Sequence, residues 1–108
     1  MLLGIAGATK LSLYCTADWL TFPGKFTMGF DVDTEGNSVI GHFDNGFSKA
    51  MTNVRVAEYF IGFDHVEKVH TMQMSINRRT MKFHITDFST NRRDDGEGSC
   101  AVGPEKAF

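Results

Sequence analysis

Short runs in which apolar and polar side chains alternate recur along most of this chain, and no other feature constrains its fold more. Every second residue is apolar at 25–32, at 70–77 and at 81–86. A period of two buries one face of a β-strand and exposes the other, as in antiparallel sheets. The pattern therefore predicts an all-β fold.

The turn signals between these runs divide the chain into short strands. The run 54–63 loses its alternation near Ala57, where a β-bulge would switch the buried face, and 47–50 is expected to form a short helical turn. Strands do not alternate with helices, which argues against a parallel sheet. We expect a small antiparallel meander of six to eight strands, closed into a barrel or folded as a two-layer sandwich. The expected strands are 10–15, 25–32, 38–43, 54–63, 69–76, 81–88 and 100–102, with a further one possible at 2–6.

Length and composition indicate one domain. The chain has 108 residues, of which 42% are hydrophobic, and ten are phenylalanines; this is enough for a modest core. We therefore expect a single β domain over 1–108. The segment 89–99 combines paired charges with two glycines and is almost without apolar residues, so we expect an exposed, mobile loop there.

Two cysteines, Cys15 and Cys100, lie near opposite ends of the chain. A bridge between them would join the first strand to the last, and disulfides persist mainly outside the reducing cytosol. The alternative is two unrelated buried thiols in a cytoplasmic protein. The segment 2–8 is apolar and ends in an Ala-x-Ala pattern, but it lacks the basic start of a secretory signal. It is either the stub of a longer signal or a first strand. No run approaches the roughly 20 apolar residues of a membrane span.

Three features together resemble small exported bacterial β-domains. They are Cys15 in an early strand, the hairpin 75–83 with its Ile-x-Arg-x-Thr turn, and the terminal Gly-x-Gly-Ser-Cys at 96–100. The resemblance covers about the last third of the chain and one cysteine, and it points to no single family. Met81 stands where those domains usually have glycine. The resemblance implies an extracytoplasmic location.

The residues that catalysis requires do not form a recognisable pattern. Cys15 lies in an apolar strand rather than at a helix N-terminus, where its thiol pKa would fall. The sequence has no Gly-x-Ser-x-Gly elbow and no glycine-rich phosphate loop. The carboxylates at 94–97 have no apolar wall to shift their pKa values. We expect a protein that is not an enzyme and that carries no cofactor.

Two patterns suggest metal ions. Asp31, Asp33 and Glu35 match the start of a calcium loop, but His42 occupies the twelfth position, where a bidentate glutamate belongs. A solvated hairpin turn is the favoured interpretation. The histidines also fall short of a zinc site, because the alternation places His70 and His84 on opposite faces of their hairpin. We therefore expect no metal. The four histidines of the chain are His42, His65, His70 and His84.

The best candidates for binding are aromatic residues on an early loop and two Asn-Arg-Arg segments that flank the last long strand. Tryptophan and arginine are frequent anchors in protein interfaces. The alternative is that the arginines protect strand edges or neutralise nearby acids, and that the aromatic residues form a second core layer. With a net charge of −2, nucleic acid is an improbable partner and a protein partner is favoured. The predicted partner-binding residues are Trp19, Phe22, Arg78, Arg79, Arg92 and Arg93.

These observations lead to two hypotheses for function. The first is a small non-catalytic binding module that occupies a protein surface, as inhibitor, immunity or anti-defence proteins do. The second is a carrier of a small apolar ligand inside a barrel, lined by methionines and aromatic residues. A barrel from so short a chain is narrow and tends to be filled by its own side chains. The sequence leaves the partner and the oligomeric state open.

Overall fold

The structure, a computed structural model, describes residues 10–89 and 91–102. The described chain forms antiparallel strands and no helix, so the all-β prediction is confirmed. The strands are β1 (Lys10–Trp19), β2 (Lys25–Asp33), β3 (Ser38–His42), β4 (Ser48–Ala50), β5 (Thr52–Val56), β6 (Phe60–Val66), β7 (His70–Asn77), β8 (Lys82–Ser89) and β9 (Arg92–Val102).

The strands form one sheet in the order β4-β3-β2-β1-β9-β8-β7-β6-β5. Nearly every strand pairs with its sequence neighbour, and β1 pairs with β9, which joins the two halves of the meander. In that ladder Cys15 lies opposite Cys100, and the two form a disulfide across a sequence separation of 85 residues. The sheet curls into a nearly closed barrel, and the disulfide joins β1 and β9, the first and last strands in chain order, which pair in the middle of the sheet.

The seam of the barrel lies between β4 and β5, which the chain connects through Met51 alone. Met51 donates its backbone N–H to the carbonyl oxygen of Val39 in β3 at 2.8 Å. The segment 48–56 therefore pairs with β3 through β4 and, directly after Met51, with β6 through β5. Asn53 has a φ of 51°, and the β5–β6 register shifts at this point. A local bend therefore carries one length of chain from one half of the sheet to the other.

The inward-facing side chains fill the barrel. Phe30 lies between two other rings, at 4.9 Å from Phe63 and 6.1 Å from Phe83, measured between ring centroids. These three rings come from β2, β6 and β8 and are almost completely buried, so they meet across the interior. The rest of the core packs around them: Leu13, Cys15, Ala17, Met28, Val32, Val39, Met51, Ile61, Met72, Met74, Ile76, Ile85 and Cys100.

The structure corrects the prediction of a loop at 89–99, because β9 runs through most of that segment. In the middle of β9 the inward positions are occupied by Gly96, Gly98 and Cys100, and the outward positions 95, 97 and 99 are charged or polar. A Cβ atom on Gly98 would lie 2.7 Å from the Cα of Ala17 and would also collide with the Thr16 carbonyl oxygen. Glycine is therefore required where β9 approaches β1. It also removes the apolar half of the alternation by which strands are recognised.

Three smaller differences concern strand boundaries. The run 54–63 is not one bulged strand but the end of β5, a turn at 57–59 and the start of β6. The segment 47–50 contains β4 instead of a helical turn. These two divisions raise the number of strands to nine among the described residues, above the expected six to eight. The possible strand at 2–6 lies outside the described residues.

The antiparallel register sets the two ends of the barrel. Trp19 pairs with Gly96 near one end of the β1–β9 ladder, and Ser89 pairs with both Arg92 and His70. The turns at 20–24, 43–47 and 67–69 therefore lie at the same end, which we call the mouth. The turns at 34–37, 57–59 and 78–81 lie at the opposite end, together with Val102.

Candidate functional site: the mouth of the barrel

Two of the predicted aromatic residues and two of the predicted arginines meet at the mouth. The rings of Trp19 and Phe22 stack with centroids 5.5 Å apart, and the Arg92 guanidinium lies 5.6 Å from the centre of the Phe22 ring. Arg93 lies in the same way 5.5 Å from the Phe88 ring. Such contacts between a cation and an aromatic face are attractive and hold both groups at the surface.

Arg78 and Arg79 lie at the opposite end, in the turn between β7 and β8. Arg78 is only 6% exposed, and its Nη1 donates to the carbonyl oxygen of Ala57 at 2.6 Å. Arg79 lies 4.8 Å from the centre of the Tyr59 ring. The structure thus separates the six predicted partner-binding residues into two groups, and Arg78 supports the 57–59 turn from inside.

Large apolar side chains are exposed around the mouth. Val69 is 73% exposed and Leu20 is 62% exposed. They come from different turns, and Phe47 adds a third turn, so the residues converge only in the folded chain. Exposed apolar residues at the opposite end or on the outer wall of the barrel are fewer among the described residues. We call the set at the mouth the apolar rim: Leu20, Phe22, Phe47, Val66, Val69 and Phe88.

Inside the rim, four ionisable side chains form a continuous hydrogen-bonded chain. Glu67 lies on the β6–β7 turn, and its Oε1 atom accepts from His65 Nε2 at 3.0 Å and from His70 Nε2 at 2.9 Å. The other ring nitrogen of His70, Nδ1, lies 3.1 Å from Oδ1 of Asp87. We call these four residues the His–carboxylate cluster. It joins the ends of β6, β7 and β8 through the turn.

The contacts of His70 define its protonation state. Both of its ring nitrogens face carboxylate oxygens, and carboxylates only accept hydrogen bonds. Partial burial alone lowers the pKa of His70, but the hydrogen bonds to Asp87 and Glu67 outweigh it and raise the pKa above the ordinary value of 6.5. The hydrogen bonds from His65 and His70 lower the pKa of the Glu67 carboxyl below 4.5. The favoured state is therefore an imidazolium between two carboxylates.

His65 has the opposite arrangement. Its side chain is only 3% exposed, and its ring packs 5.2 Å from that of Phe43. With Nε2 bound to Glu67, its buried Nδ1 has no hydrogen-bond partner within residues 10–89 and 91–102. His65 thus has one paired and one unpaired ring nitrogen, whereas both ring nitrogens of His70 are paired.

The candidate metal residues have other partners. Oδ1 of Asp33 accepts the backbone N–H groups of Glu35 and Gly36 at 3.1 and 3.0 Å, an arrangement that builds a turn. His84 lies on the outer face, 3.8 Å from Asp95, and so faces away from His70. In the described part of the chain, no three metal-ligating side chains are arranged to hold an ion.

A second hydrogen-bonded chain lies on the outer wall. His42 contacts Ser48 Oγ through Nδ1 at 2.8 Å and Asp31 Oδ2 through Nε2 at 2.6 Å, and Ser12 donates to Asp31 at 2.8 Å. A serine, a histidine and an acid in contact is the arrangement of a nucleophilic triad. The four residues are neighbours on β1, β2, β3 and β4, and we interpret the chain as a tie between strands.

The cavities of about 840 and 520 Å³ are open grooves on the outer wall. The larger follows β7, β8 and β9 and is lined by the charged Lys82 and Glu97 as well as by Phe60. The interior at the level of Phe30, Phe63 and Phe83 is occupied by rings, as described above. Neither groove is the enclosed apolar cavity that a carrier would need.

Comparisons of the chain with protein-family models, with curated proteins and with solved structures found no match. The described residues contain no helix with the length and apolar character that a bilayer crossing requires.

Sequence reasoning considered His65 and His70 only as metal ligands and did not select Glu67 or Asp87. The spacing His65-x-Glu67-x-x-His70 across a tight turn is a usable signal, because residues two apart at a strand end share a face. Asp87 carries no comparable signal. It joins the cluster only through the pairing of β7 with β8.

Proposed function

We propose that this protein is a small non-catalytic module that binds another protein through the apolar rim at the mouth of the barrel. The observation that carries the proposal is the convergence of exposed Leu20, Phe47 and Val69 from three separate turns. Large apolar side chains that are exposed together at one end of a small protein are typical of an interaction site. The size of the domain fits proteins of inhibitor, immunity or anti-defence type, as an analogy.

The surroundings of the rim support a protein partner. Phe22 and Phe88 each lie beside an arginine, and aromatic residues with arginine are enriched among the residues that dominate interface energies. Asp94 and Asp95 pair with Arg92 and Arg93, so the rim does not present the unbalanced positive charge that nucleic acid binding favours. This supports an apolar protein surface as the ligand.

The disulfide supports an extracytoplasmic location as part of the proposal. Cys15 and Cys100 are bridged, and such bridges persist mainly in oxidising compartments. The carrier hypothesis is the weaker alternative, because the rings of Phe30, Phe63 and Phe83 occupy the interior that a ligand would need.

The test compares two sets of exposed apolar positions. The rim variant carries Leu20→Ser, Phe47→Ser and Val69→Ser, and the control carries Val102→Ser at the opposite end, where Val102 is 59% exposed. Tagged wild-type protein first identifies a partner by capture, and purified partner is then titrated by calorimetry. Each interface anchor contributes about 1–2 kcal/mol, so we expect the rim variant to lose more than roughly 100-fold in affinity.

Circular dichroism must show the same fold for all three proteins. Wild-type affinity in the rim variant, or an equal loss in Val102→Ser, would contradict the proposal. Failure of any purified protein to bind wild type, together with saturable uptake of a small apolar probe, would favour the carrier alternative.

A further inference from the structure

The β6–β7 turn connects the His–carboxylate cluster with the apolar rim. Glu67 lies on this turn between Val66 and Val69, two of the rim residues. Its backbone N–H donates to the carbonyl oxygen of His70 at 2.9 Å, and its carboxylate holds both histidines. The position of these two rim residues therefore depends on the contacts that Glu67 makes.

The number of protons on His70 decides how many of those contacts survive. An imidazolium donates from both ring nitrogens, whereas a neutral imidazole donates from one and presents a lone pair from the other. The lone pair of neutral His70 would face a carboxylate oxygen, either that of Glu67 at 2.9 Å or that of Asp87 at 3.1 Å. Such a contact between two acceptors is repulsive. Asp87 is held within β8, but Glu67 lies on a turn and is the partner that is able to move.

We propose that His70 is a proton-operated latch of the mouth. When protonated, it ties Glu67 on the turn to Asp87 on β8 and fixes Val66 and Val69 in the apolar rim. When it loses its proton, His70 keeps only one of its two carboxylate bonds, the link between the turn and β8 is broken, and His65 remains as the other side-chain donor to Glu67. The turn that carries Val66 and Val69 then opens more often. As a regulator of partner binding this inference rests on the proposed function, whereas the latch itself is a property of the free protein.

The other charged groups near the cluster are paired or lie in solvent. Lys49 of β4 donates through Nζ to the carbonyl oxygen of Val66 at 2.9 Å, which holds the start of the turn. Asp94 of β9 lies opposite Asp87 in the sheet, but Arg92 binds it at 2.7 Å. Lys68 extends from the turn into solvent. His70 is thus the group whose proton links β8 to the turn.

The direction of the pH response follows from the two pKa shifts. Folding raises the pKa of His70 above 6.5, so its stabilisation is complete below that value and is lost as the pH rises through the folded pKa. Folding lowers the pKa of Glu67 below 4.5, so its contribution is present above 4.5 and is lost as the pH falls through the folded pKa. The latch is therefore closed between pH 4.5 and pH 6.5 and opens as the pH rises through the folded pKa of His70.

The experiment uses nuclear magnetic resonance of the full, free chain. Side-chain ¹⁵N shifts report whether His70 is protonated on both nitrogens, and hydrogen exchange of the Glu67 amide reports the opening of the turn. Both are followed from about pH 5.5 to about pH 9, with exchange corrected for the intrinsic rate. We expect protection to fall with the same midpoint as the His70 titration, by about tenfold for each unit of pKa shift.

Two variants separate the latch from a general pH effect. In His70→Gln, one amide donor group replaces the imidazolium, and we expect low Glu67 protection at every pH. His84→Gln removes a histidine from the outer wall and should retain the wild-type response. The latch is rejected if His70 carries one proton at pH 5.5, or if wild-type protection does not change while His70 titrates. The ¹⁵N titration of wild-type His70 tests the latch even if a variant does not fold. Neither the ¹⁵N titration nor the hydrogen-exchange measurement requires a partner.

Discussion

Cys15 and Cys100 face each other across the β1–β9 ladder and form a disulfide where the two halves of the sheet join. They are 85 residues apart in sequence, yet they occupy directly paired positions on adjacent strands. The bond therefore reinforces a long-range pairing, which is the pairing that costs most chain entropy to form.

Removing this disulfide should strongly destabilise the barrel. For the double variant Cys15→Ala and Cys100→Ala, we expect a loss of about 2–5 kcal/mol in the free energy of unfolding, because the unfolded chain regains the freedom that the bridge removes. Urea denaturation measures the loss, and wild type in reductant should behave in the same way. Two thiols titrating in the unfolded, unreduced wild type would contradict the bridge.

Gly98→Ala should weaken the β1–β9 ladder. The added Cβ would collide with backbone atoms of Thr16 and Ala17, and backbone is unable to move aside as a flexible side chain does. We expect a loss of roughly 1–3 kcal/mol in the free energy of unfolding, measured by urea denaturation. Ser99→Ala, at the neighbouring exposed position, is the control and should change stability little. Equal stability of the two variants would show that β9 tolerates a side chain at 98.

The two arginines at the β7–β8 turn should respond differently to substitution. Arg78→Ala removes a buried donor from the Ala57 carbonyl oxygen and should cost about 1.5–3 kcal/mol. Arg79→Ala removes an exposed contact with the Tyr59 ring and should cost about 0.5–1 kcal/mol. Thermal denaturation followed by circular dichroism distinguishes them. The interpretation of Arg78 as a support of the turn fails if both variants melt together.

Thr86→Val should raise the pKa of Asp95. The Thr86 hydroxyl donates to Asp95 Oδ1 at 2.6 Å, and this bond, with that from Arg93, lowers the pKa of the carboxyl below 3.8. The stabilisation by ionised Asp95 is thus present above 3.8 and is lost as the pH falls through the lower, folded pKa. Carboxyl ¹³C shifts followed from neutral pH into acid measure the change. Ser75→Ala on the same outer wall is the control, and an unchanged Asp95 titration in Thr86→Val would contradict the assignment.

Local pattern predicted the strands best where one face is continuously apolar. The strands β2, β7 and β8 begin and end within about a residue or two of the predicted bounds, because each carries its own alternation. Only the end of β9, at 100–102, was predicted, and its longer part was taken for a loop because glycines occupy inward positions at 96 and 98. Its inward face is filled by neighbours: a Cβ at Gly96 would lie 2.9 Å from Ile85 and 3.3 Å from Trp19.

The candidate site was predictable only in part. The sequence indicated Phe22 and Arg92 as surface residues, and the structure brings them together at the mouth. The sequence indicated Arg78 equally, but Arg78 is buried because the turn at 57–59 folds over it. The two Asn-Arg-Arg segments look alike in sequence, but strand direction sends one to each end of the barrel.

What the sequence determined by itself is the antiparallel β character and the position of most turns, since both follow from neighbouring residues and backbone preferences. Only the tertiary structure decided which turns share an end of the barrel, that Cys15 meets Cys100, and that His70 lies between Glu67 and Asp87. Those relationships depend on strand order and register, which are set by packing between segments far apart in the chain. A pattern read along one strand carries no information about the strand that will lie beside it.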